Sequence, residues 1–145
     1  MPSFTPPKSH WLLKSEPNTW SWEDQKTQKT TFWDGVRNYQ ASNNLKKMRV
    51  GDLAFFYHSV VNPRIVGIVR IIKTYYPDPT DPTGRFGMVD VAFEKELKEP
   101  IPLDLIKKEP RLSHLGLVRQ SRLSVMPIDE DSWEYLCMLG KTRVA

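Results

Sequence analysis

The apolar pattern of this chain changes period at Gly51 and Asp52, and that change sets the class of fold. Residues 39–48 (YQASNNLKKM) put Ala41, Leu45 and Met48 on one helical stripe, with Lys46 and Lys47 off it and near the C-terminal end. Gly51 and Asp52 stop the pattern. Beyond them, LAFFYHS (53–59) and IVGIVRIIK (65–73) read as strands joined through VVNPR. In the first of these, Leu53, Phe55 and Tyr57 share one face, while Ala54, Phe56 and His58 share the other. Both faces are apolar, so the strand is expected to be covered on two sides.

The flanking segments complete the organisation. HWLLK (10–14) is strand-like, and SEPN turns the chain. Ser21 and Asp24 form a capping box that starts a short helix. DQKTQKTT (24–31) has no burial period and is expected as a surface connection. Asn38 is expected to cap the helix over 39–48. DPTDPTG (78–84) reads as a proline-broken surface loop, 88–93 as a third strand, 103–108 as a turn or two of helix, and 123–128 as a last strand. A final helix is expected with Asp131 and Glu134 as its capping box and Gly140 as its stop. Short strands, hairpin-like central pairs and non-repeating helices predict an α+β fold, a small mixed β-barrel flanked by helices. Nothing suggests a βαβ series.

Size and composition narrow the function. The 145 residues suit one domain, expected over 10–145 behind a disordered leader at 1–9 that Pro2, Pro6 and Pro7 keep extended. One cysteine, Cys137, excludes a disulfide framework and a cysteine-rich zinc site. No apolar run approaches the ~20 residues of a membrane span, and 1–9 lacks the pattern of a signal peptide. A soluble intracellular protein is expected. The net charge of +4 tilts mildly towards anionic partners.

Phosphate-loop, paired-histidine and nucleophile-elbow signatures are all missing. His10, His58 and His114 are far apart in sequence. His58 and Ser59 point to opposite faces, so neither easily activates the other. A binding pocket fits better. Four segments of polar and aromatic residues stand where elements end: Lys14 and Ser15; Trp33, Val36, Arg37 and Asn38; Tyr57, His58 and Ser59; and Arg119, Arg122, Leu123 and Ser124. An extruded base needs aromatic faces, amides or hydroxyls for its edge, and basic groups for its phosphates. Trp33 and Tyr57 offer faces; Asn38, Ser15 and Ser59 offer hydrogen bonds; Arg37, Arg119 and Arg122 offer charge. Each has a structural rival: Trp33 and Tyr57 as core, Asn38 as a cap, His58 as a buried hydrogen-bonded side chain, and Arg37 and Arg122 as salt-bridge partners.

WLLKSEP (11–17), WDGVRNYQASNNLKKMRVGDLAFFYHS (33–59), VGIVRIIKTYYPDPT (66–80) and RQSRLSVMPI (119–128), in that order, resemble the EVE domain family. The resemblance implies a PUA-like barrel related to the YTH readers of methylated RNA. It also implies capture of a flipped, modified base such as 5-methylcytosine or 5-hydroxymethylcytosine in DNA. Carried over by motif, the pocket comprises Lys14, Ser15, Trp33, Val36, Arg37, Asn38, Tyr57, His58, Ser59, Leu123 and Ser124, with Arg119 and Arg122 on phosphates. Ser42 departs from the family pattern, which has arginine there, and so weakens the expected backbone contact.

The resulting expectation is a non-catalytic reader of DNA, or RNA, carrying modified bases. It takes no cofactor, metal or membrane, and is a monomer, cytoplasmic if bacterial and nuclear if eukaryotic. The alternatives are a PUA-like RNA-processing nuclease using Lys14 or His58, and a protein-interaction module.

Overall fold

The computed structural model describes residues 9–143. The elements follow as β1 (His10–Ser15), α1 (Trp22–Gln28), β2 (Thr30–Trp33), α2 (Tyr39–Lys47), β3 (Leu53–His58), β4 (Arg64–Pro77), β5 (Gly87–Pro102), α3 (Leu103–Lys107), a 3-10 turn (Pro110–Leu112), α4 (Gly116–Arg119), β6 (Val125–Ile128) and α5 (Glu130–Leu139). The leader expected over 1–9 lies, apart from Ser9, outside the described residues. Ser9 itself donates its backbone N–H to Asp52 at 3.1 Å.

The α+β class is as expected, with one correction to the barrel. The six strands form one sheet in the order β2-β5-β4-β3-β1-β6, and among the described residues no ladder joins β2 to β6. The sheet is therefore not closed by hydrogen bonds. β3, β4 and β5 are successive antiparallel neighbours, whereas β1 runs parallel to β3. That parallel pair is a crossover that local patterning did not suggest. It has a functional consequence: the register sets Lys14 beside Tyr57 and Ser15 beside His58 at one end of the sheet.

The two apolar faces of β3 are indeed both covered. Phe55 stacks on Trp133 of α5, with ring centroids 4.0 Å apart. On the other face, Phe56 meets Trp22 of α1 at 5.0 Å and Trp33 edge-on at 5.5 Å. Trp22 lies so close over Gly67 of β4 that a Cβ there would fall 2.1 Å from its ring. Glycine is thus required where α1 docks on the sheet.

Several boundaries differ from the sequence reading. α1 runs to Gln28, and Thr30–Trp33 pairs with β5, so the polar stretch contains a helix and an edge strand. An edge strand needs only backbone partners on one side, which explains its weak apolar signal. β4 and β5 extend to 14 and 16 residues, well past the expected ends, as one long hairpin. The last helix is capped by Asp129, which accepts from the Ser132 N–H, and not by Asp131, which sits inside its first turn. The Ser21 and Asn38 caps are found where expected.

Candidate functional site

The loop from 33 to 38 begins where β2 delivers Trp33 into the core, 7% exposed. Gly35 turns the chain at φ 79°, in the left-handed region that suits glycine. The turn is held by Asp78, a residue the sequence reading left in a surface loop. One carboxylate oxygen of Asp78 accepts the Gly35 N–H at 2.8 Å and the Arg37 guanidinium at 3.1 Å. Its other oxygen accepts the Thr80 N–H at 2.7 Å and the Thr80 hydroxyl at 2.6 Å. Burial alone would raise the Asp78 pKa. The hydrogen bonds from Thr80, the Gly35 amide and Arg37 outweigh it and hold the carboxyl at about 2. Arg37 also donates to the Thr80 hydroxyl at 2.8 Å. Its salt-bridge role is thus established by geometry, and Val36 beside it is buried.

At the end of this loop the Asn38 side-chain oxygen accepts the Ala41 N–H at 2.9 Å, capping α2. Asn38 also lines a cavity of about 300 Å³ with Gln40, Arg119, Gln120, Ser121, Arg122 and Leu123. Among the described residues no acidic side chain lines it. Arg119 donates to the Ser113 carbonyl at 3.0 Å, and Arg122 is exposed with no hydrogen-bond or ion-pair partner among the described residues. A second concavity of about 530 Å³ shares Gln40, Gln120 and Leu123 and reaches along α2 to Asn44.

β1 joins the same wall. Lys14 donates its backbone N–H to the Ser124 carbonyl at 2.9 Å and its ammonium to the Ser121 carbonyl at 3.0 Å. The ammonium also stands 5.7 Å from the Tyr57 ring centroid. Burial lowers the Lys14 pKa and pushes the Tyr57 hydroxyl up to about 12. Ser59 donates its N–H to the Ser15 carbonyl at 2.9 Å, and Ser15 gives its hydroxyl to Trp20.

The structure therefore brings Lys14, Tyr57, Ser124, Leu123, Asn38, Arg119 and Arg122 around one end of the sheet. His58 stands apart. Its Nε2 accepts the Trp22 N–H at 2.9 Å, and its ring packs edge-on against Phe56. It lines a different cavity of about 340 Å³, with Glu16, Val60, Val61 and Arg64 among its walls. Burial, then the charge of Arg64, lowers its pKa. Ser42 is buried beside the Tyr75 hydroxyl at 3.4 Å, so the position where the family pattern has arginine faces the protein here.

Gln40, Gln120, Tyr39 and Asp78 were missed by sequence reasoning. Tyr39 is 60% exposed and its ring lies 5.0 Å from that of Phe86, next to the Asn38 cap. Tyr39 and Gln40 directly follow Asn38 in the sequence, which was the available signal. Among the described residues no group of three or more His, Cys, Asp or Glu side chains could hold a metal ion, and no helix is long and apolar enough to cross a membrane.

Three comparisons bear on this arrangement. Residues 9–139 match the EVE domain family. Thymocyte nuclear protein 1 of Gallus gallus is 40% identical over 168 residues, covering 92% of this chain and 69% of its own. A crystal structure of human THYN1 protein in complex with 5-methylcytosine-containing DNA superimposes with a TM-score of 0.88 at 36% identity, covering 94% of this chain and all of that one. The YTH domain of Zygosaccharomyces rouxii MRB1 protein shares the fold alone, at a TM-score of 0.59 and 13% identity, over the whole of this chain and 95% of that one.

Proposed function

The chain belongs to the EVE domain family, and from that premise we propose that it captures a flipped, modified cytosine of DNA at the Asn38 cavity, making and breaking no covalent bond. The observation that carries the reading is the contact of Lys14 with Ser121. It draws the strand end bearing Lys14 and Ser15 onto the segment 119–124, at a cavity that Asn38 also lines. A volume of about 300 Å³ lies at the lower end of the range for small-ligand pockets.

The chemistry suits a base edge. Asn38, Gln40 and Gln120 each carry an amide able to donate and accept, as the Watson–Crick edge of cytosine requires. Trp33 and Tyr57 are only 7% and 3% exposed and neither lines the Asn38 cavity, so their rings are not available to stack on a base there. Stacking falls instead to the exposed guanidinium plane of Arg119, and the exposed Arg122 is left for phosphate. The DNA complex of the human relative supports DNA over RNA as the ligand.

The nuclease alternative has less support. His58 spends Nε2 on the Trp22 backbone and lines a cavity separate from that of Asn38. The deciding experiment is a binding screen over duplexes carrying unmodified cytosine, 5-methylcytosine, 5-hydroxymethylcytosine or N6-methyladenine. Tighter binding to a modified cytosine is expected. Equal affinity for all four would overturn the proposal.

A further inference from the structure

The turn between β3 and β4 does not look like a turn chosen for solubility. Val60 and Val61 stand 70% and 63% exposed at its tip, where glycine, asparagine or aspartate would ordinarily be found. Val60 also sits at φ 72°, and the Val61 N–H donates back to the Ser59 carbonyl at 2.9 Å. This closes a γ-turn of the strained hand around a β-branched residue, which avoids the left-handed region more strongly than most. Asn62 follows at φ 45°, a conformation asparagine tolerates.

The strained tip is held from three sides. The Ser59 N–H bonds to the Ser15 carbonyl at 2.9 Å, the Leu103 N–H bonds to the Pro63 carbonyl at 2.9 Å, and the Arg64 guanidinium bonds to the Asn62 carbonyl at 2.9 Å. Strain of this kind persists where the surroundings over-determine it, and it clusters at functional positions. Through Ser59 and Ser15 the tip is continuous with the strand end whose Lys14 reaches the wall of the Asn38 cavity. Arg64 adds a positive charge at its base.

We propose that Val60 and Val61 form a wedge that enters the stack of duplex DNA and fills the gap left by the captured base. The proposal rests on the base-capture reading above. Extruding a base leaves its neighbours unstacked, and apolar side chains inserted between base steps restore contact there. Valine suits the task because its branched Cβ restricts χ1 and leaves little rotamer freedom to lose.

The test uses the full chain and two probes, a duplex with one 5-methylcytosine and the same modified strand alone, each beside its unmodified counterpart. Val60→Gly and Val61→Ser should each weaken duplex binding about tenfold while leaving single-strand binding unchanged. Glycine accepts the φ of Val60, so the melting temperature of Val60→Gly should not fall, which separates lost binding from lost folding. Unchanged duplex affinity, or equal loss on both probes, overturns the wedge. If the unsubstituted chain prefers the methylated strand in neither form, the capture reading fails and takes the wedge with it. If that preference holds and the variants behave as the unsubstituted chain, only the wedge fails.

Discussion

The Arg37 guanidinium lies 3.1 Å from Asp78, 41 residues away, on the same carboxylate oxygen that accepts the Gly35 amide at 2.8 Å. This one carboxylate fixes the turn that carries the chain from β2 into the Asn38 cap. Because it lies in the core of the loop while Arg37 is partly exposed, its loss should be costly.

Asp78→Ala is expected to lower unfolding free energy by roughly 2–3 kcal/mol, measured by urea denaturation. The pH dependence follows from the depressed carboxyl, at about 2 against an ordinary 3.8. The stabilisation is complete above the ordinary value and is lost as pH falls through the folded one. The acid limb of the stability curve should be shallower in the variant.

Trp33→Ala should cost about 3–5 kcal/mol of stability, because the indole is packed edge-on against Phe56 in the core. The sequence offers Trp33 as a stacking face with core packing as its rival, and its burial decides for the core. A chemical-denaturation midpoint equal to that of the unsubstituted chain would show that the ring packs less tightly than its contacts imply.

Asn38→Ser separates capping from recognition. Serine caps a helix about as well as asparagine, so thermal stability should hold. The amide is removed from the cavity, and affinity for modified duplex should fall by about tenfold, as loss of a hydrogen bond predicts. Titration by fluorescence anisotropy reads this directly.

Arg122→Gln should weaken binding to modified and unmodified duplexes alike. The slope of log affinity against log salt should shrink by about 1. A change in the preference for modification, with no change in slope, would place Arg122 on the base and not on the backbone.

His58 should make the fold acid-sensitive. Burial and Arg64 lower its pKa below the ordinary 6.5, so the unfolded chain binds the proton more readily. Stability is full above about 6.5 and declines as pH falls from there towards the folded value. His58→Gln should flatten that part of the curve in urea midpoints taken between pH 5 and pH 7.5.

Much of the local structure was legible. The Ser21 box, the Asn38 cap and the β3–β4 hairpin follow from short-range chemistry, because each partner lies within a few residues. His58 as a buried, hydrogen-bonded side chain followed from its alternation with Phe56. β2 was illegible because an edge strand with alternating exposure carries little apolar signal. The α5 cap was misplaced by two residues because Asp129 and Asp131 are chemically alike, and only the helix start decides between them.

By itself the sequence determined the fold class, the two covered faces of β3 and the family, because periodicity and contiguous motifs are properties of neighbours along the chain. The tertiary structure alone decided that β1 lies parallel to β3, that Arg37 is committed to Asp78 out of 17 acidic residues, and that His58 is parted from the Asn38 cavity. It also decided that the sheet stays open between β2 and β6. Such choices compare partners far apart in sequence. They are settled by which complete packing buries the most apolar surface while leaving the fewest polar groups unpaired.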